Sequence, residues 1–230
     1  MDTPTLVSNP WPVGQKLQQW AEPTVAIAQF ADYSNYHNEL HAAVLAQSTN
    51  PEFAKDYGAN SDIGSEKIFD LPNWGSAAAS LIHERARILF QKVMGSEAVA
   101  VDLSWASIYN AGDHCLPHAH PRTTSSVLYM LDMGNPSDAD HGRFCFADPR
   151  MKMCCREEPG YMSTPCAPNL EPGMMMIFPG QAVHFVSTYD GTQPRITLTW
   201  NFNIAALPGN PLPEGTRPPG KQKPRTDRAS

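Results

Sequence analysis

Two periodicities divide the chain. From Tyr33 to Gln47, His37, Leu40, Ala43, Val44 and Ala46 recur at mixed three- and four-residue spacing, which predicts a helix ended by Asn50-Pro51. A clearer amphipathic pattern runs from Ser76 to Met94, through Ala79, Leu81, Ile82, Ala86, Leu89, Phe90 and Val93, with Gly95 as its stop. Residues 51–73, between these helices, are polar and turn-rich. Beyond Glu97 the period shortens to two: Val99, Val101, Leu103, Trp105 and Ser107 alternate toward Tyr109 as a half-buried strand does. Further strands are predicted at Ser125–Leu131, Gly142–Ala147, Gly173–Phe178, Val183–Thr188 and Arg195–Ile204. A long loop, 148–170, rich in Met, Cys and Pro, interrupts them in the position of a lid.

Helices followed by a run of short strands predict a mainly β protein with a helical support layer packed outside its core. In this reading residues 1–96 form the helical support, 97–207 the β core of the same domain, and 208–230 a Pro-rich tail with no apolar face, expected to be disordered. A length of 230 residues fits one decorated domain, and 22 prolines with 15 glycines fit many turns. The formal charge of −6 argues against nucleic acid and anionic membranes as partners. No run approaches the ~18 apolar residues of a membrane helix, and Met1-Asp2-Thr3-Pro4 does not open a secretory signal. Five cysteines, an odd number, predict reduced thiols and a cytoplasmic setting. Cys154-Cys155 has no CxxC spacing, which argues against a cysteine zinc site.

Candidate chemistry sits in His118-Ala119-His120-Pro121, in His184 just past Phe178-Pro179-Gly180, and in Arg195-Ile196-Thr197. Two histidines two apart share one face of an extended strand. A third histidine and an arginine from later strands predict a metal site beside an anion-binding cation, in the mouth of a barrel or sandwich. Imidazole suits iron, zinc, copper and nickel. Zinc hydrolase patterns fail: Arg122 stands where a metallo-β-lactamase has Asp, and amidohydrolase barrels need a longer chain of βα units. Oxygen-activating iron sites use three ligands on one face, commonly His-x-Asp/Glu followed by a distant His. Here His120 occupies the carboxylate position.

The region from Val99 to Ile204 resembles the iron(II)/2-oxoglutarate-dependent oxygenase superfamily, in particular a bacterial and phage branch with a His-x-His-Pro motif. The resemblance rests on His118-Ala119-His120-Pro121, Ser125-Ser126-Val127-Leu128-Tyr129, Asp148-Pro149-Arg150, Phe178-Pro179, His184, Arg195-Ile196-Thr197 and Asn201, in that order. It implies a double-stranded β-helix (jelly-roll, cupin-like) core. It implies that His118 and His184 bind iron(II), with His120 in the third position. Arg195 would pair with the distal carboxylate of 2-oxoglutarate, helped by Thr197 and by Tyr129 or Tyr109. The expected partners are a small-molecule substrate and O2. The oligomeric state is open, a homodimer included. Two alternatives stand beside this one: a three-histidine iron oxygenase that uses no 2-oxoglutarate, and a cupin-like metal- or ligand-binding module without activity. Asp113 and Asp148 are the nearby carboxylates, neither at the expected spacing.

Overall fold

The computed structural model describes residues 9–21, 23–55, 64–148, 150 and 166–204. Strands β1 (Leu17–Ala21) and β2 (Thr24–Gln29) form an antiparallel hairpin. This corrects the helical reading of the N-terminal region. Val25, Ala26 and Ala28 are all buried, so β2 carries no alternation for a period-two search to find. A 3-10 turn, Tyr33–Asn35, leads into α1 (His37–Ser48). The turn-rich stretch that follows holds two strands, β3 (Ala54–Lys55) and β4 (Glu66–Phe69), too short to register as a pattern.

Helix α2 (Ala77–Met94) forms where its sequence predicts. The Ser76 hydroxyl caps it by accepting from the Ala79 N–H at 3.2 Å, and Gly95 ends it in the left-handed region at φ 62°. Its buried stripe runs through Ala78, Ile82, Arg85, Ala86, Leu89 and Phe90. Arg85 is the one charge there, held by Asp32 at 2.7 and 2.9 Å and by the Tyr36 hydroxyl at 3.0 Å.

The remaining strands are β5 (Val99–Tyr109), β6 (Cys115–His118), β7 (Ser125–Asp132), β8 (Phe144–Phe146), β9 (Met174–Pro179), β10 (His184–Val186) and β11 (Arg195–Ile204). They make two antiparallel sheets. The larger has the order β1-β2-β9-β7-β11-β5-β4-β3 and the smaller β6-β10-β8. The N-terminal strands are therefore part of the large sheet, not a layer outside it. One face of that sheet meets the helices: Val127, Tyr129 and Leu131 of β7 and Ile196, Leu198, Trp200 and Phe202 of β11 pack with Leu40 of α1 and Phe90 of α2. The other face meets the small sheet: Leu128, Met130, Met176 and Phe178 pack with Phe144, Phe146 and Val186. This is the double-stranded β-helix core with a helical layer on one side.

Most of the expected lid, 149 and 151–165, lies outside the described residues, as does the tail 208–230. No helix among the described residues is long and apolar enough to cross a membrane.

Candidate metal centre

Strand alternation decides which side chains enter the space between the sheets. On β11 these are Thr197, Thr199 and Asn201, and on β5 Leu103, Trp105, Ser107 and Tyr109. With aromatic side chains from β8 and β9 they line a cavity of about 270 Å³, close to the lower end of small-ligand clefts.

The three histidines converge at this cavity. His118 and His184 are direct cross-strand partners on β6 and β10. His120 does not share their ladder. It lies in the turn after β6, which corrects the expectation of two histidines on one strand face. The turn is pinned from the Phe178-Pro179-Gly180 motif: the His120 N–H donates to the Gly180 carbonyl at 2.6 Å, and the Gly180 N–H to the Thr124 carbonyl at 3.2 Å. A side chain at Gly180 would collide with the Thr123 carbonyl, so glycine is what lets the two segments meet. The ring centroids stand 4.4 Å apart for His118 and His184, and 5.1 Å for each of the pairs with His120. One ligand nitrogen from each ring lies within 4.8 Å of the others.

The second ring nitrogen of each histidine is engaged. The Nδ1–H of His118 donates to the Leu116 carbonyl at 2.9 Å, and that of His184 to the Ala182 carbonyl at 2.9 Å. His120 Nδ1 donates to Asn201 Oδ1 at 2.9 Å and lies 2.8 Å from Ser126 Oγ, which donates to the same amide oxygen. A carbonyl can only accept, so Nδ1 carries the proton and Nε2 keeps its lone pair. Such second contacts orient metal-binding imidazoles. Phe144 stacks on His184 at 5.4 Å, Phe178 meets its edge at 5.0 Å, and Trp105 meets His120 at 5.9 Å.

Burial pushes all three rings toward the neutral form, helped by neighbouring imidazoles at His120 and His184 and by the Lys67 charge at His118. His184 is pulled down to about 3 and His120 to about 4, while His118 is lowered chiefly by burial. Unfolded histidines titrate near ~6.5. Between those values the unfolded chain binds more protons, so acid favours unfolding. The metal-free protein is expected to lose stability as pH falls from ~6.5 toward 4, with His120 and His184 both contributing to the loss. Denaturant midpoints across that range measure it. The slope should be shallower in His184→Gln, and equal slopes would contradict a buried neutral ring.

Arg195 opens β11 opposite Tyr109. It is buried, with its Cζ 5.0 Å from the Tyr109 ring centroid. None of its three guanidinium nitrogens has a hydrogen-bond partner among the described residues. Gly142, at φ 67°, leaves the room this needs: a Cβ there would stand 2.6 Å from the Tyr189 ring and 3.1 Å from Arg195 Cδ. An unpaired buried guanidinium is costly, and it fits a site built to receive an anion. Thr197 follows two residues on, on the same strand face, and lines the cavity.

One expected site residue fails. Tyr129 points to the helical face of the sheet, and its hydroxyl donates to that of Tyr36 at 3.4 Å. The strand's alternation sends Leu128, not Tyr129, into the cavity. Tyr109, the other candidate, lines it. Asp113 and Asp148 stay outside the histidine group. Asp113 accepts from the Asn110 N–H, and Asp148 pairs with Arg150. Sequence reasoning missed Lys67 and Ser107, both in the cavity wall, and gave no role to Asn201.

No curated protein matches the sequence. Residues 103–201 match the family model described as "Putative 2OG-Fe(II) oxygenase". Among solved structures, the fold is similar to the epimerase SnoN of nogalamycin biosynthesis in complex with Fe3+, alpha ketoglutarate and nogalamycin RO, at 14% identity and TM-score 0.58, covering 78% of this chain and 79% of that one. It is also similar to a prolyl hydroxylase from Trichoplax adhaerens, at 14% identity and TM-score 0.57, covering 77% and 83%. A prolyl-4-hydroxylase from Pseudomonas putida matches at 16% identity and TM-score 0.54, covering 78% and 93%. The matched segment contains all three histidines and the arginine, so the likeness to 2OG-Fe(II) oxygenases falls on the part of the chain that carries the candidate ligands.

Proposed function

We propose that this protein oxidises a small organic substrate with O2 and 2-oxoglutarate, using iron held by His118, His120 and His184. The observation that carries this reading is a convergent trio of neutral imidazoles in the same scaffold as a buried, unpaired arginine. The donor set fits iron(II), since imidazole is a ligand of that metal. The arginine fits a dicarboxylic keto acid, whose far end needs a planar cation.

Bound iron with 2-oxoglutarate supplies an oxidant strong enough for C–H bonds, the keto acid ending as succinate and CO2. The chain's part is position and environment. Leu116, Ala182 and the Asn201–Ser126 pair fix the three rings so that each offers Nε2. Arg195 and Thr197 hold the distal carboxylate of the keto acid and set its reach. Phe144, Phe178 and Trp105 shut water away from the reacting face. A cytoplasmic setting belongs to this reading, since an odd number of cysteines, five, fits reduced thiols.

The anaerobic protein loaded with iron(II) should develop a visible absorption band on adding 2-oxoglutarate, and should form succinate once O2 is admitted. Iron-loaded protein that gives neither band nor succinate sinks the reading. That the ligand group holds no carboxylate among the described residues favours a second reading, a three-histidine oxygenase independent of keto acid. O2 consumption with iron alone, unchanged by 2-oxoglutarate, would decide for it.

A further inference from the structure

Lys67 has no part in the chemistry described so far. It stands on β4, in register with Ser107 of β5, and its Nζ donates to Ser107 Oγ at 2.6 Å. It is buried, 7% exposed, yet it lines the cavity. Nζ lies 5.6 Å from the centroid of the Tyr109 ring, the ring that Arg195 also borders. No carboxylate lines the cavity and none pairs with Lys67 among the described residues. An ammonium has three donors, and one is used among the described residues.

A charge count shows what this implies. Neutral imidazoles leave a divalent metal its two positive charges, and Arg195 and Lys67 add one each. Burial lowers Lys67 to about 8, which leaves it mostly protonated at pH 7. The keto acid brings two negative charges. Two positive charges then remain at a wall where Ser107, Tyr109, Thr197, Thr199 and Asn201 offer only neutral polar groups beside Phe69, Leu103, Trp105, Leu128 and Phe144, and no described carboxylate neutralises them. The keto acid's own carboxylates have partners in Arg195 and the metal. Lys67 is left facing a cavity whose wall suits hydrocarbon.

We propose that Lys67 binds a carboxylate of the primary substrate, so that the enzyme acts on organic acids with an apolar body. This rests on the reading of the site as an iron–2-oxoglutarate centre. A carboxylate beside Lys67 has two sources, the substrate and the keto acid, and binding measurements separate them.

Calorimetry on anaerobic, iron(II)-loaded protein provides the test. First 2-oxoglutarate is titrated. Hexanoate or hexanamide is then titrated into the 2-oxoglutarate-saturated protein. Wild type should prefer hexanoate by about tenfold or more, the scale of one charge-assisted contact. Lys67→Met should erase that preference and keep 2-oxoglutarate affinity within about threefold, which also shows that the variant is folded. Lys67→Arg should retain the preference. Equal binding of acid and amide to wild type, no binding of hexanoate, or a preference that survives in Lys67→Met overturns the proposal. So does a Lys67→Met variant that loses 2-oxoglutarate affinity tenfold or more (about 1.4 kcal/mol), which would give Lys67 to the keto acid. Wild type that binds no 2-oxoglutarate at all would instead remove the underlying reading of the centre.

Discussion

Replacing His184 with alanine is expected to empty the iron site and cut turnover by at least about a thousandfold, or ~4 kcal/mol of transition-state stabilisation. The ring is the most buried of the three, with Phe144 stacked on it and Phe178 at its edge. Alanine removes one of three nitrogen donors and opens a void between those aromatics, which solvent can enter. Iron per protein after gel filtration and succinate formed per minute are the two readouts. His118→Ala should behave alike, because the two rings are cross-strand partners. His120→Ala is the more telling variant. If its ring is the third ligand, iron affinity falls as far as in His118→Ala. Retention of stoichiometric iron in His120→Ala would show that the ring, for all its contacts with Asn201 and Ser126, is not a ligand.

Arg195→Met should weaken 2-oxoglutarate binding by about a hundredfold, or ~2.7 kcal/mol. It should do so without lowering the stability of the ligand-free protein. The second half of this expectation follows from the structure: a buried guanidinium without acceptors among the described residues opposes folding, and a methionine of similar length does not. A variant that melts at the same temperature or higher, yet needs far more keto acid to saturate, is the signature of a residue kept for binding. A variant that melts much lower would mean that Arg195 serves the fold through its packing on Tyr109. Arg195→Lys should recover little, because an ammonium lacks the planar fork that matches a carboxylate.

The parts of the molecule legible in the sequence are those where one physical signal dominates. Helix α2 announces itself through a clean apolar stripe, a Ser cap and a Gly stop. Strand β5 shows itself by alternation, and β7, β9 and β11 by apolar runs long enough for composition to mark them. The His118-x-His120, His184 and Arg195 order was visible because rare residue types keep their spacing whatever the backbone does between them. Tyr129 was misplaced because β7 is buried on both faces, and a run such as Val127-Leu128-Tyr129-Met130 does not say which side meets the helices. Lys67 escaped notice because a charged residue in a short, polar segment reads as surface. Its burial comes from β5 beside it, a contact between residues forty apart in the chain. Strands β1 and β2 were missed for a related reason: alanines that fill a close-packed strand lack the bulk that marks one in isolation.

The cross-strand register of His118 and His184 has a mechanical consequence. Strand β6 is an outer strand of the three-stranded sheet, four residues long, joined on one side to β10 through a ladder that shifts between His184 and Val186. A cation bound by both rings acts there as a rivet between a weak rim and the strand beneath it. Iron starvation would then loosen the rim before the helices or the large sheet, and the protein's loss of its metal would register as a fraying of its mouth.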